Sequence, residues 1–455
     1  MLYIMGSKRL SNFSPGQIVI FSILCTILIG TALLSLPAAR TAPLSIIDLF
    51  FTATSATCVT GLFTISLDNF TLFGQCILLL LIQVGGLGLI TLTLFIMSLF
   101  VNLGFATQLM AGQILEIEAW QNVKRMLFFI ITLTLIIELC GALILLPTLI
   151  AHYPLEQAAF FSIFHSVSSF CNAGVSLFNY STYKNLLIEN YVVLGITALL
   201  TFFGGLGFIT WLEFFRYFRS LNKKKHYHFS LLTKIVLWGS LVLIIVPTVL
   251  IWILEHNNTL AHMGLFESWY NAACNAIALR SSGFLTVPVY HLNLATLLVI
   301  MAVAFIGAAP GSTGSGVRVS TFIIFLATIK AAIFGETRVN LQGRRIPKDQ
   351  IYKAVALVSV GAFWIIGILF LLLITEKNAD FLDMAFESVS AFANLGISTG
   401  ITSLLSPLGK IFIIVTMIVG RIGSLTLILA LRKTRLQEQL TKVQISYPEE
   451  RIMLS

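Results

Sequence analysis

Long apolar runs alternate with short ones along this chain. Runs of roughly 20 apolar residues, enough to cross a hydrocarbon core, begin near Gln17, Phe70, Met126, Tyr191, Leu231, His291, Tyr352 and Leu408. Within each successive pair lies a shorter apolar segment: Ser45–Thr57, Glu156–Phe170, Gly264–Leu279 and Phe381–Phe392. Segments of that length do not cross and read as re-entrant or buried helices. Any one of them reads equally well as a helix lying on an extramembrane loop. Four at the same place in four units favour the re-entrant reading. The expected fold is an all-α polytopic membrane protein, four helix–short helix–helix repeats around a central pore. The repeats are expected over residues 10–101, 126–219, 231–335 and 352–432, with a polar tail over 433–455.

Each short segment runs into a motif that ends in glycine. The motifs are Cys58-Val59-Thr60-Gly61, Cys171-Asn172-Ala173-Gly174, Arg280-Ser281-Ser282-Gly283 and Ala393-Asn394-Leu395-Gly396. Their glycines are 113, 109 and 113 residues apart. Four glycine turns in external loops would explain each motif but not the equal spacing. A second glycine site follows each motif: Gly85–Gly88, Gly204–Gly207, Gly307-Ala308-Ala309-Pro310 and Gly420-Arg421-Ile422-Gly423. The offsets from motif glycine to this site are 24, 30, 24 and 24 residues. At Gly85–Gly88 and Gly204–Gly207 the expected role is close helix packing, since small residues let membrane helices approach.

Composition strengthens the membrane reading. Hydrophobic residues are 57% of the chain and charged residues 10%, against roughly 25% charged in a soluble domain. The formal net charge of +9 does not signal nucleic acid, because the basic residues cluster in particular loops. Of the 28, 21 fall before the first span, after the eighth, or between the second and third, fourth and fifth, or sixth and seventh. By the positive-inside rule those segments are cytoplasmic. Both termini are then expected inside, with all four short segments entering from outside. The apolar run from Gln17 reads as a retained span and not a cleaved leader. The six cysteines lie in apolar stretches without metal-ligand spacing, and no HExxH, GxSxG or paired intramembrane aspartates suggest an enzyme. An inverted-repeat transporter would show two related halves, whereas this chain shows four units in one orientation.

A bare cation in a low-dielectric core needs oxygens in place of its water shell, and rings of backbone carbonyls commonly supply them. Carbonyls turn inward only where the backbone takes unusual dihedrals, which glycine adopts freely. A short helix aimed at such a site also presents the negative end of its dipole. All sixteen motif residues are therefore candidate filter residues.

With Ser55–Gly61, Phe164–Gly174 and Ser390–Gly396 in place, the chain resembles the membrane subunit of the Ktr/Trk/HKT superfamily of potassium transporters over essentially its whole length. One span before the first short segment resembles the shorter Ktr branch. The resemblance implies a potassium-channel-like fold and potassium uptake across the plasma (inner) membrane, with potassium at the carbonyls of the four motifs. It implies no covalently bound cofactor, with sodium as a possible coupling or activating ion. It further implies a homodimer on a cytoplasmic ring of nucleotide-binding regulatory subunits. Glycine at all four positions goes with potassium preference in this family. A sodium-permeable or sodium-coupled member is the alternative. The third motif departs from the Thr-Ala-Gly form expected there.

The sixth apolar region carries Gly307 and then Pro310-Gly311-Ser312-Thr313-Gly314-Ser315-Gly316. Such a run cannot hold a regular helix, so two half-helices joined by an intramembrane loop are expected, as a gate or as a packing kink. The resemblance implies a gating loop here. Arg421 lies within an apolar span, where a cation is costly. It is expected to face the cavity, pair with residues 311–316 and oppose cation passage, while Arg318 is expected at the cytoplasmic mouth. Glu138, in another span, reads either as an ion-coupling site or as a structural carboxylate paired to another helix. Asp48 and Asp383, each 13 residues before a motif glycine, read as helix-start complements or as attractors of cations. Lys223–Lys225 and Arg344–Lys348 read as topology signals or as docking sites for an acidic partner or anionic lipid.

Overall fold

The computed structural model describes residues 15–88, 123–178, 190–221, 227–287, 289–377 and 379–423. Four units follow one another. The first holds α1 (Pro15–Leu34), α2 (Ile46–Cys58) and α3 (Leu72–Leu87). The second holds α4 (Val123–Ile150), α5 (Leu155–Phe170), α6 (Tyr191–Gly205) and α7 (Phe208–Leu221). The third holds α8 (Leu231–Glu255), α9 (Leu265–Ala278), α10 (Leu294–Phe305) and α11 (Val319–Ile333). A hairpin of β1 (Asn340–Leu341) and β2 (Arg344–Arg345) leads into the fourth unit. That unit holds α12 (Lys348–Thr375), α13 (Phe381–Ala393) and α14 (Pro407–Ile422).

Among the described residues four unbroken helices are long and apolar enough to cross a membrane, and they are the first of each unit: α1, α4, α8 and α12. Each leaves large apolar side chains on its outer face, among them Phe21, Phe128, Trp238 and Phe363. A helix satisfies its own backbone, so lipid can cover such a face. The protein is an all-α, multi-pass membrane protein.

The short helices α2, α5, α9 and α13 lie inside this shell. Several of their buried hydroxyls bond back to their own helix. Thr52, Thr54, Ser169 and Ser388 each donate to the carbonyl four residues back, at 2.8, 2.8, 2.6 and 2.7 Å. Each short helix also carries an acid in its first turn, Asp48, Glu156, Glu267 and Asp383, where the helix dipole favours negative charge. The second helix of each unit packs against the short helix of the next: α3 on α5, α6 on α9, α10 on α13, and α14 back on α2. The last contact closes a ring.

The second spans differ from expectation. The sequence predicts an interruption in the third unit alone, but the second is broken too, α7 leaving α6 at 94°. Gly207 takes φ +84° there, outside the right-handed helical region. The glycine cluster of this unit thus breaks its helix as well as packing it. Gly88 and Gly423 follow α3 and α14 with φ +81° and +79°. The continuations expected to 101 and 432, and the tail 433–455, lie outside the described residues, as do Lys223–Lys225.

Candidate functional site: a ring of four glycines and the loop packed against it

Helices α2, α5 and α13 stop in the same way. The residue two before the glycine is left-handed: Val59 at φ 56°, Asn172 at 63° and Asn394 at 51°. The next amide reaches back five residues, from Thr60 to Ser55 (2.8 Å), Ala173 to Ser168 (2.8 Å) and Leu395 to Ser390 (2.9 Å). This Schellman-type stop turns the chain out of the helix at one fixed step. Asparagine tolerates it. For Val59 it costs roughly 1–3 kcal/mol, held by buried surroundings. The third motif stops differently. Ser281 is not left-handed, and the amides of Ser282 and Gly283 both bond Ala278 O, at 3.0 and 3.1 Å.

Beyond these stops the four chains meet. Gly61, Gly174, Gly283 and Gly396 have φ of 91°, 66°, 69° and 81°. A Cβ on Gly61 would strike Ala173 O; on Gly174, Ser282 O; on Gly283, Leu395 O; on Gly396, Thr60 O. Each glycine therefore abuts the carbonyl just before the glycine of the next unit, and the fourth returns to the first. The ring requires glycine twice over, for its dihedral angle and for the space its neighbour occupies.

Other motif side chains turn away from the ring. Cys58, Val59, Ala393 and Leu395 are buried in apolar packing. Arg280 donates to Ser240 Oγ on α8 at 3.1 Å. Cys171 faces Glu138 of α4 and Gln83 of α3. Asn172 Nδ2 donates to Thr313 Oγ1 at 2.7 Å, and the Asn394 amide lies 3.2 Å from Thr60 Oγ1 and 3.1 Å from Ser315 Oγ.

Those contacts belong to the segment between α10 and α11, which is seated against the ring. Thr313 Oγ1 donates to Phe170 O (3.0 Å), and Ser315 N to Ser281 Oγ (3.2 Å). The loop thus touches the ends of the second, third and fourth short helices. On its other side Ala309 N bonds Gly205 O (3.1 Å) and Phe208 N bonds Gly311 O (2.9 Å). Pro310 O abuts Gly207, so the break in the second unit is the socket for this loop. Gly307 abuts Ser315 O, Gly311 and Gly316 take φ 63° and 79°, and Ser312 bonds within the loop, to Ala309 O at 2.6 Å.

Arg421 clasps the loop. Its Nη1 donates to Thr313 O and to Ser315 Oγ (3.1 Å), and its Nη2 to Gly85 O and Gly86 O. It makes no salt bridge among the described residues. Arg318, expected at the mouth, is also a loop residue, its Nη1 donating to Gly314 O at 2.6 Å. Sequence reasoning missed this role and the socket at Gly207. The glycine cluster shared by all four units was the signal for the socket.

At the start of α2 Asp48 does more than complement its helix. It pairs with Lys410 Nζ of α14 at 2.7 Å and accepts from Thr64 Oγ1 at 2.7 Å. Glu255 and Glu376, at the ends of α8 and α12, receive the starts of α10 and α14. Glu255 takes Asn293 N at 2.9 Å, and Glu376 takes Ser406 N at 3.2 Å.

Four units inside a shell of apolar helices thus meet in a ring of glycines and backbone carbonyls. The chain belongs to the TrkH family of cation transport proteins, whose model matches residues 13–443, a family of transporters and not of enzymes. It is 35% identical to the Ktr system potassium uptake protein B of Bacillus subtilis over 445 residues, 96% of each chain. It is also 35% identical to the protein of the same name from Vibrio alginolyticus, over 98% of this chain and 96% of that one. Identity to the potassium/sodium uptake protein NtpJ of Enterococcus hirae is 31% over 99% of both. The crystal structure of the potassium transporter TrkH from Vibrio parahaemolyticus superposes with a TM-score of 0.69 at 19% identity. It covers 90% of this chain and 85% of that one, a likeness of fold.

Proposed function

We propose that this chain is the ion-translocating subunit of a potassium uptake system. The observation that carries the reading is the closed ring of glycines with a loop seated directly against it. In this reading motifs 58–61, 171–174, 280–283 and 393–396 form the selectivity filter, and backbone carbonyls replace the water shell of potassium. Residues 307–316 are the gate and Arg421 is its latch, holding both the loop and a positive charge in the path. The names of the B. subtilis and V. alginolyticus relatives support potassium as the cargo and a multi-component system. The clustering of basic residues supports cytoplasmic termini in the plasma membrane. A homodimer on a ring of nucleotide-binding subunits completes the proposal, and the basic hairpin around Arg344 and Arg345 is suited to an acidic partner surface.

The test is growth at limiting potassium and rubidium uptake in a potassium-uptake-deficient strain, with and without a regulatory subunit. Wild type rescues growth and Gly174→Asp, at equal membrane abundance, does not. Arg421→Ala takes up rubidium without the regulatory subunit, about five- to tenfold faster than wild type does, because a buried charge leaves the path. A wild type that fails to rescue while present in the membrane sinks the proposal. The likeness to the potassium/sodium protein favours sodium permeation as the second reading, and sodium competition with rubidium uptake separates the two.

A further inference from the structure

We infer that Glu387 is a positioning residue that sets ion preference, fastening to the fourth short helix the segment that leaves the fourth motif; the inference rests on the filter reading above. Each short helix holds its outgoing segment by a polar side chain. Asp48 accepts from Thr64 Oγ1 at 2.7 Å, Ser168 Oγ from Val175 N at 2.9 Å, and Asn275 Oδ1 from Thr286 N at 3.1 Å. These holds lie three, one and three residues beyond the motif glycines. In the fourth unit Ser390 Oγ donates to Ile397 O at 2.6 Å. One turn earlier on α13, Glu387 Oε1 accepts from Thr402 Oγ1, six residues beyond Gly396. The Thr402 hydroxyl also lies 2.8 Å from Ser398 Oγ, which accepts from Gly400 N at 3.0 Å. Glu387 thus closes a longer segment than the other three holds do.

Packing alone does not call for a carboxyl here. Glu387 is fully buried, and its Oε2 has no hydrogen-bond partner among the described residues, an arrangement that costs stability. The residues at the same step of the other units, nine before the motif glycine, are Thr52, His165 and Cys274. Thr52 donates within α2, to Asp48 O at 2.8 Å, and His165 Nε2 lies 2.9 Å from Thr197 Oγ1 of α6. Cys274 packs against Leu194 and Ala198 of α6. The repeat therefore does without a carboxyl at this step, and the fourth segment uses one. That segment bears on the ring. Leu395 O abuts Gly283, and Gly396 abuts Thr60 O, so a shift of the chain just beyond Gly396 changes the carbonyl spacing on two sides. Ion preference depends on the number and spacing of the carbonyls that reach the ion. With Thr402 released, the segment loses its hold at Glu387 and the fourth quarter of the ring loses discrimination.

The test is rubidium uptake by the full chain with its regulatory subunit, read as KM, as maximal rate per copy in the membrane and as sodium competition. Glu387→Ala and Thr402→Val each raise the KM about tenfold and let sodium compete about tenfold more strongly, with the maximal rate within about threefold of wild type. The double variant is within about twofold of the worse single, because both changes remove one hold. Glu387→Gln keeps an acceptor oxygen for Thr402 and stays within about twofold of wild type in all three readings. A loss confined to abundance or maximal rate would overturn the inference. So would additive losses in the double variant, or a Glu387→Gln as impaired as Glu387→Ala. If Glu387→Ala fails to accumulate, Thr402→Val against Thr402→Ser carries the comparison, with serine keeping the wild-type KM. Absence of uptake by wild type overturns the filter reading itself, and this inference with it.

Discussion

The third unit and the other three solve one packing problem in two ways. In the first, second and fourth, a glycine of the second helix rests on the last turn of a short helix: Gly85 on Thr57 O, Gly204 on Phe170 O and Gly420 on Phe392 O. All three contacted carbonyls stand four residues before a motif glycine. In the third unit the corresponding Gly307 rests on Ser315 O instead, and the left-handed stop of the short helix is missing. The chain there folds back on itself, Gly307 N to Val317 O at 2.8 Å and Val317 N to Phe305 O at 3.2 Å. Repetition builds the ring, and its abandonment at one place gives the loop proposed as the gate. A helix rests on a short helix by backbone contact, whereas the loop meets the short-helix ends through the hydroxyls of Thr313 and Ser281.

The largest effect that would break this comparison lies in the ring. Gly283→Ala is expected to reduce rubidium uptake about a hundredfold, equivalent to about 3 kcal/mol on the barrier, and Gly61→Ala to do the same. The added methyl meets Leu395 O in one case and Ala173 O in the other. Initial rates that differ by more than tenfold between the two would place the third motif outside the ring's logic. Intermediate effects sharpen the contrast outside the ring. Gly85→Ala presses on fixed backbone and should cost about 1–3 kcal/mol of stability by overpacking, seen as a lower Tm in detergent. Gly307→Ala presses on the loop and should leave Tm within about a degree while changing uptake severalfold. A matched loss of Tm in both would mean the loop is as rigid as the helices. The smallest effect concerns the seam between the fourth and first units. Lys410→Met leaves Asp48 without its ion pair and should cost about 1–2 kcal/mol, with potassium over sodium preference unchanged.

Much of the architecture was legible because each element starts at a local signal. The runs predicted from Tyr191, Leu231 and Leu408 begin as helices at Tyr191, Leu231 and Pro407, behind the caps Asn190, Ser230 and Ser406. The meeting of the four glycines was legible in their spacing. What was not legible depends on contacts between distant segments. The bend at Gly207 hid behind an offset of 30 in place of 24, which made its cluster look out of register. The bond of Arg318 to the loop was not legible because it depends on the pairing of Ile306 with Val317. Glu138 had no visible partner because Gln83, which donates to it at 3.1 Å, belongs to another unit. Arg421 was legible only because an arginine in an apolar helix has few places to point.

The pairing of Asp48 with Lys410 spans 362 residues, and time enters the account there. At roughly 5–20 residues per second, synthesis of that interval takes on the order of half a minute. During it the first short helix waits in the bilayer beside a gap that only α14 can fill. If the ring is the proposed conduit, no shorter nascent chain encloses it, and an unfinished copy does not leak the membrane potential of the cell that is making it. The order of translation is itself a safeguard, since the contact that completes the passage comes from the last unit to arrive.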